Sequence, residues 1–179
     1  ISAMSKSPNK HNRFWIQVEP LEEKVIELID KGEVAEEVGR KQISAILYEK
    51  AGWQVEEAKN VWAIEEHKNI LVDVTKGIQY LDEAKDTIIS GFKWACAGGP
   101  LCEEPMRGIK AKLVDASLHE DPAHRGPAQV MPAIRRALFG SFLTAKPVLL
   151  EPIYKIGVSV PIQWVGEVSN MIIRKRGRI

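Results

Sequence analysis

Between Arg13 and Glu19 the side chains alternate, with Phe14, Ile16 and Val18 on one side and Arg13, Trp15, Gln17 and Glu19 on the other. A period of two predicts a half-buried strand. Pro20 ends it and suits a helix entry, after which Leu21, Val25, Leu28 and Ile29 share a face up to Gly32. A second helix is predicted near Glu36 to Lys50, with Ile43, Ile46 and Leu47 as its stripe and Gly52 after its end, and a short third near Val55 to Val61. Asn69 to Thr75 reads as a strand, with Ile70, Val72 and Val74 on one side. A long helix follows from Gly77 to about Ala97, carrying Leu81, Ala84, Ile88, Phe92 and Ala95, until Gly98-Gly99-Pro100 breaks it.

The stretch Gly108 to Leu118 predicts a further strand, with Ile109, Ala111 and Leu113 opposite Lys110 and Lys112. Beyond Leu113 both faces turn apolar, which signals deeper burial or a bulge. A helix is expected from about Gln129 to Ala145, with Val130, Ile134, Ala137, Leu138, Ser141 and Phe142 inward and Arg135 and Arg136 toward solvent. Pro132 falls in the first turn of that reading, where a missing N–H does little harm. Tyr154, Ile156, Val158 and Val160 alternate as another strand. A last helix carries Ile162, Val165, Val168, Ser169 and Ile172, with Gly177 as its cap and Arg178-Ile179 as the start of a further strand. Helices interspersed with few strands predict an α+β fold, a sheet covered by helices. Residues 1–12, rich in Ser, Lys, Pro and Asn, read as a linker or loop.

At 179 residues the chain has room for one ordinary domain, or one domain plus part of another. Its 45% hydrophobic and 27% charged residues are those of a folded protein, and a net charge of +1 does not by itself imply a polyanionic partner. The charges are unevenly spread. Lys6, Lys10 and Arg13 stand without an acid among the first 13 residues, Arg174, Lys175, Arg176 and Arg178 crowd the end, and the middle is acidic. An anionic partner is therefore expected at selected tips. Cys96 and Cys102 match no zinc spacing and read as small buried hydrophobes in a reduced, cytosolic setting. No apolar run approaches the roughly 20 residues of a membrane helix, and no phosphate-binding loop is present.

Candidate chemistry concentrates in Ser117-Leu118-His119-Glu120-Asp121-Pro122-Ala123-His124-Arg125-Gly126-Pro127. Four readings compete for it. His119, Asp121 and His124 offer metal donors in an H-x-D-x-x-H spacing, as a metal-dependent enzyme on the 119–124 loop would need. His124 held by Asp121 would serve as a general base, although no nucleophile accompanies it. The histidines are equally consistent with an exposed, solvated loop. Finally, Arg125, the histidines and a helix N-terminus suit contact with RNA, with Lys6, Lys10 and Arg13 contributing if the first residues lie beside the loop. His67 and the five tryptophans read as surface and packing groups.

The segments SKSPNKHNRF, TKGIQYLDEAK, LVDASLHEDPAHRGPAQVMPAIRRALF and KPVLLEPIYKI resemble the translation elongation factor 2 family of archaea and eukaryotes. The resemblance is collinear over nearly all of the chain and densest from Gly108 to Glu151; Arg13 to Glu66 is less similar. It implies a fourth domain of α+β type with a left-handed crossover over residues 13–147. A linker or tip loop at 1–12 and an incomplete ferredoxin-like fifth domain at 148–179, one strand and one helix, complete the expected division. It further implies a non-enzymatic fragment of a cytoplasmic translocation factor whose GTPase domain, with GTP and magnesium, lies elsewhere, with no cofactor in this part. The implied partners are the small-subunit decoding site of the ribosome, transfer RNA and messenger RNA, and the diphthamide-synthesis enzymes, with no membrane.

The histidine of D-x-x-H-R-G is the family's diphthamide position and falls on His124, where an arm bearing a carboxamide and a trimethylammonium would be added to the ring. His119 and Asp121, and the loop of Asn9, Lys10 and His11, match the family's other tip positions. Gly126-Pro127-Ala128-Gln129 stands where eukaryotic members have a run of glycines, and resembles the archaeal pattern. A splicing or ribosome-maturation paralogue is the rival within the fold; the intact H-R-G stretch speaks against it.

Overall fold

Phe14, Ile16 and Val18 are sealed from solvent in the computed structural model, which describes all 179 residues. They belong to strand β2 (Arg13–Pro20), one of five in a single sheet with β1 (Ser2–Lys6), β3 (Val61–Glu65), β4 (Asn69–Asp73) and β5 (Ile109–Ser117). The spatial order is β1-β2-β5-β4-β3, antiparallel throughout except for the parallel neighbours β4 and β5. The family-type α+β architecture expected from the sequence is present. Helices α1 (Glu23–Asp30), α2 (Arg40–Ala51) and α3 (Val55–Lys59) connect β2 to β3, α4 (Leu81–Ala97) connects β4 to β5, and α5 (Pro127–Thr144) follows β5.

Two hydrophobic clusters sit on the sheet. The larger joins Phe14, Ile16, Val18, Leu71, Ala111 and Leu113 to the inner faces of α4 and α5, including Ile88, Phe92, Val130, Ile134 and Leu138. The smaller packs Val25, Leu28, Ile43, Leu47 and Trp53 of the helical segment 21–58 against Val61, Ile70 and Val72. Each fully buried aliphatic or aromatic side chain contributes about 1.5–3 kcal/mol. Helices α4 and α5 approach closely at Gly91, where an added Cβ would lie 3.1 Å from the Ile134 side chain and the Met131 backbone. Ser141, polar yet on the inner face of α5, is satisfied: its hydroxyl donates to the Ile1 carbonyl at 2.6 Å and accepts from the Val18 amide at 2.7 Å.

The strand–strand register contains the bulge expected after Leu113. Ile16 pairs with Leu113 but Trp15 pairs with Asp115, so Val114 is the extra residue. The other face of β5 differs from an ordinary solvated one. Lys110 is 4% exposed, its Nζ 2.7 Å from Glu22, 3.2 Å from Glu19 and 3.4 Å from Glu57, and 4.4 Å from the centre of the Trp53 ring. Lys112 meets Glu19 at 2.6 Å and Glu57 at 3.1 Å. Burial alone would lower the Lys110 ammonium; the surrounding glutamates outweigh it and raise it above the usual lysine range. Burial would likewise raise Glu19 and Glu22, yet hydrogen bonds from Lys112 and Lys110 to Glu19, and from Lys110 to Glu22, hold both below the usual carboxylate range.

Several elements depart from the sequence reading. Ser2–Lys6, read as part of a linker, is a strand, because its backbone pairs with β2 from Ser2↔Gln17 to Lys6↔Arg13 whatever its polar composition. Val61 starts strand β3 rather than ending a helix, and α4 starts at Leu81 because Tyr80 lies at φ +62°, outside the helical region. Helix α5 starts at Pro127, which places Pro132 in its second turn instead of its first. Cys96 is buried as expected, but Cys102 is exposed, and both thiols are free.

The chain divides into two units, Ile1–Pro147 and Val148–Ile179. In the second, Tyr154–Val160 forms no strand, since no neighbouring strand supplies a ladder for its backbone. It holds helix α6 (Val165–Arg174), preceded by a single turn at Ile162–Trp164; Arg176, at φ +64°, takes the left-handed position expected at Gly177. No helix is long and apolar enough to cross a membrane.

Candidate functional site

Because β2 and β5 are antiparallel with Arg13 opposite Ser117, the chain before β2 and the chain after β5 leave the sheet at the same end. The turn 7–12 and the loop 118–126 therefore meet, which satisfies the condition for Lys6, Lys10 and Arg13 to stand beside the histidine loop. Ser7 and Asn12 close the first of them: the Ser7 amide donates to the Asn12 carbonyl at 2.9 Å, and the Asn12 amide donates to the Ser7 hydroxyl at 2.9 Å. Lys10 is held at φ +65°, its amide donating to the Ser7 carbonyl at 2.8 Å.

Asn12, fully buried, links the two loops. Its Nδ2 donates to the His124 carbonyl at 2.8 Å and its Oδ1 accepts from the His119 amide at 3.0 Å. Asn9 adds a second Nδ2 bond to the same His124 carbonyl at 2.8 Å, and its amide donates to Gln129 Oε1 at 2.9 Å. Within the second loop, Asp121 Oδ1 accepts from the Ala123 amide at 2.9 Å and caps the single turn Pro122–His124. The Asp121 amide donates to His119 Nδ1 at 3.0 Å, which places the proton of a neutral His119 ring on Nε2.

Three imidazoles from the two loops gather at the tip. The His11 ring lies 4.9 Å from those of His119 and His124, and His119 lies 4.7 Å from His124, centre to centre. The His124 side chain keeps 45% of its surface exposed, and its Nε2 is 3.9 Å from Asp121 Oδ2. His124 thus combines a backbone fixed by two side-chain amides with a ring partly open to solvent, beside the more exposed ring of His11.

Of the expected contact residues, Lys6, Asn9, Lys10, His11, Arg13, His119 and Asp121 all lie on these loops or on the strand ends bordering them. Lys6, Lys10 and Arg13 are exposed. Arg125 is the exception. It turns inward, 7% exposed, with its guanidinium paired to Glu83 of α4, stacked 4.7 Å from the Tyr80 ring centre, and donating to the carbonyls of His119 at 3.0 Å and Glu120 at 3.1 Å. It is buried between the loop carbonyls, Tyr80 and Glu83, so it braces the tip and is not displayed for phosphate. Sequence reasoning missed Ser7, Asn12, Tyr80, Glu83 and Gln129. Only the position of Ser7 and Asn12 beside a strand end hinted at them.

The metal spacing H-x-D-x-x-H does not bring its donors together as a metal would need. The set whose donor atoms all lie within 4.8 Å of one another is Glu65, Glu66 and His67. There Glu65 is already engaged: Oε1 is 2.7 Å from His67 Nδ1, and Oε2 accepts from Asn69 Nδ2 at 2.6 Å and the His67 amide at 3.0 Å. His67 is thus an internal partner of Glu65 as well as a half-exposed surface residue.

The family model of elongation factor G, domain IV, matches residues 32–146, more than half of the chain. Elongation factor 2 of Desulfurococcus amylolyticus is 51% identical over 174 residues, 97% of this chain and 24% of that protein. Those of Sulfurisphaera tokodaii and Pyrobaculum calidifontis are 53% and 52% identical, again over 97% of this chain and 24% of theirs. The chain spans about a quarter of the length of these relatives. On the match to its domain model and on these identities, the chain belongs to the elongation factor family as its domain IV type.

Proposed function

We propose that this chain is the part of an archaeal-type ribosomal translocation factor that enters the decoding site of the small subunit. There it follows the transfer RNA–messenger RNA duplex and keeps it from slipping back. The reading is supported by the relatives' shared identity as elongation factor 2 and by one observation above the others: the two-loop tip presents His124 on a backbone clamped by Asn9 and Asn12. A probe entering a crowded RNA site gains from a rigid, pre-ordered end, because ordering a loop on binding costs free energy that a fixed loop does not lose. His119, His11 and Asp121 flank the ring, and Lys6, Lys10 and Arg13 supply the positive charge that phosphates attract.

His124 is the diphthamide position in this reading, its exposed ring receiving the carboxamide- and trimethylammonium-bearing arm from the diphthamide-synthesis enzymes in the cytoplasm. The chain itself carries out no catalysis. GTP and magnesium belong to the GTPase region of the whole factor. Peptide mapping of the factor from its native host tests the assignment: a mass increase confined to the peptide containing His124 is expected. Native material with an unaltered His124 overturns it.

A further inference from the structure

An open groove of about 480 Å³ lies between the outer edge of β1 and helix α5, lined by Lys6, Lys10, Arg136, Ser5 and Ser7 among others. No carboxylate lines it, and none of the three cations takes part in an ion pair. Arg136 is pre-oriented there. Its Nη2 donates to the Lys6 carbonyl at 3.1 Å and its Nε to the Pro132 carbonyl at 3.3 Å, which leaves the remaining N–H groups of the fork unused. The Lys10 turn, fixed at φ +65° by its bond to Ser7, sets the second cation on the rim. Unpaired cations around a polar concavity with a planar guanidinium already anchored are the chemistry that recognises a phosphate group.

We infer that this groove is a phosphate subsite that holds the backbone of a nucleic-acid strand whose bases face the histidine tip. Lys10 connects the two directly, since it stands beside Asn9 and His11 in the same turn. The inference rests on the decoding-site reading of the tip, and it adds Arg136, which the sequence assigned simply to solvent. The position of the groove also gives the strand a direction: it runs from the tip along the edge of β1 toward the middle of α5.

The test is a nuclear magnetic resonance titration of the isotope-labelled chain with a short single-stranded RNA and, separately, with inorganic phosphate. It reads the Arg136 guanidinium, the Lys6 and Lys10 amides and the ring protons of His11, His119 and His124. The RNA is expected to shift groove and tip signals together. Arg136→Gln and Lys6→Gln should each flatten the slope of log affinity against log salt by about 0.7. Lys6→Gln guards against a folding artefact, because the hydrogen bond from Arg136 uses the Lys6 backbone and not its side chain. Shifts at the histidines with a silent groove and unchanged salt slopes would overturn the subsite and leave the tip reading standing. Shifts in the groove alone would support the subsite and remove the tip reading. Response to inorganic phosphate but not to RNA would overturn the nucleic-acid strand as its occupant.

Discussion

Asn12 donates from its side-chain amide to the carbonyl oxygen of His124 at 2.8 Å, across 112 positions of sequence. Asn12 is fully buried, so this bond and its partners form away from competing water. Replacing Asn12 with Ala deletes the bonds to the His124 carbonyl, to the His119 amide and to the Ser7 hydroxyl. A destabilisation of about 1–3 kcal/mol is expected, mostly from polar groups left unsatisfied. Denaturant midpoints check the magnitude. Hydrogen exchange checks the location, with the His119 amide losing protection first.

Arg125 braces the same loop from below, which gives a second prediction. Arg125→Ala removes the donors to the carbonyls of His119 and Glu120, and the stacking on Tyr80. Glu83→Gln leaves those contacts in place and alters only a partner whose carboxylate is largely exposed. The alanine variant should therefore loosen the tip, visible as broadened or averaged histidine ring resonances. The glutamine variant should loosen them less, because the loop carbonyls and Tyr80 still hold the guanidinium, although it withdraws the countercharge of a buried arginine.

His124→Ala should spare the fold. The side chain projects from the tip, so a stability change within about 0.5 kcal/mol is expected in thermal or chemical unfolding. In the whole factor the cost should appear in reading-frame fidelity, measured with a frameshift reporter. A large loss of stability instead would show the ring to be a packing element.

The Lys110 network predicts a pH dependence at both ends of the scale. Glu19 and Glu22 have carboxyls lowered in the folded state, so their contribution is present above the ordinary carboxylate range and is lost as pH falls through the lowered values. Lys110 is raised, so its contribution is present below the ordinary lysine range and fades as pH rises through the raised value. Unfolding midpoints followed across pH should decline at both limits. Lys110→Ala should flatten these limbs and cost about 3–5 kcal/mol, because three glutamates would remain beside one another without their central cation.

The two thiols should separate cleanly by reactivity. Cys102 is exposed, whereas Cys96 is buried and its thiol is pushed well up, chiefly by burial and then by Glu65. A thiol reagent at mildly alkaline pH should label one equivalent rapidly and the second only at the rate of unfolding. Rapid labelling of both would show that the end of α4 opens in the native state.

Strand β2, helix α5 and β5 as far as Leu113 were legible because each keeps one apolar face in a single period, and the meeting of the two loops follows from the antiparallel ends at Arg13 and Ser117. Strand β1 was not, since an edge strand is held through its backbone, which composition does not reveal. Strand β3 hid because its residues are buried on both faces and show no alternation. Tyr154 to Val160 shows the converse: alternation without a partner strand forms no ladder. Arg125 and Lys110 misled for a common reason. A charged side chain is ordinarily read as solvated, and only tertiary partners such as Glu83, Glu19 and Glu22 make its burial tolerable.

Val114 has a meaning beyond its own place in β5. Odd-numbered residues of the strand face α4 and α5 up to Leu113, but beyond the extra residue the inward position is the even-numbered Ala116. The bulge acts as a parity shift between the part of the strand that builds the core and the part that hands the chain to the histidines. Deleting Val114 would join Leu113 to Asp115 in an unbroken ladder and leave Ala116 inward, whereas a strand that kept Val114 but lost the bulge would put Asp115 in the inward place and hang the tip from the sheet with its two sides exchanged.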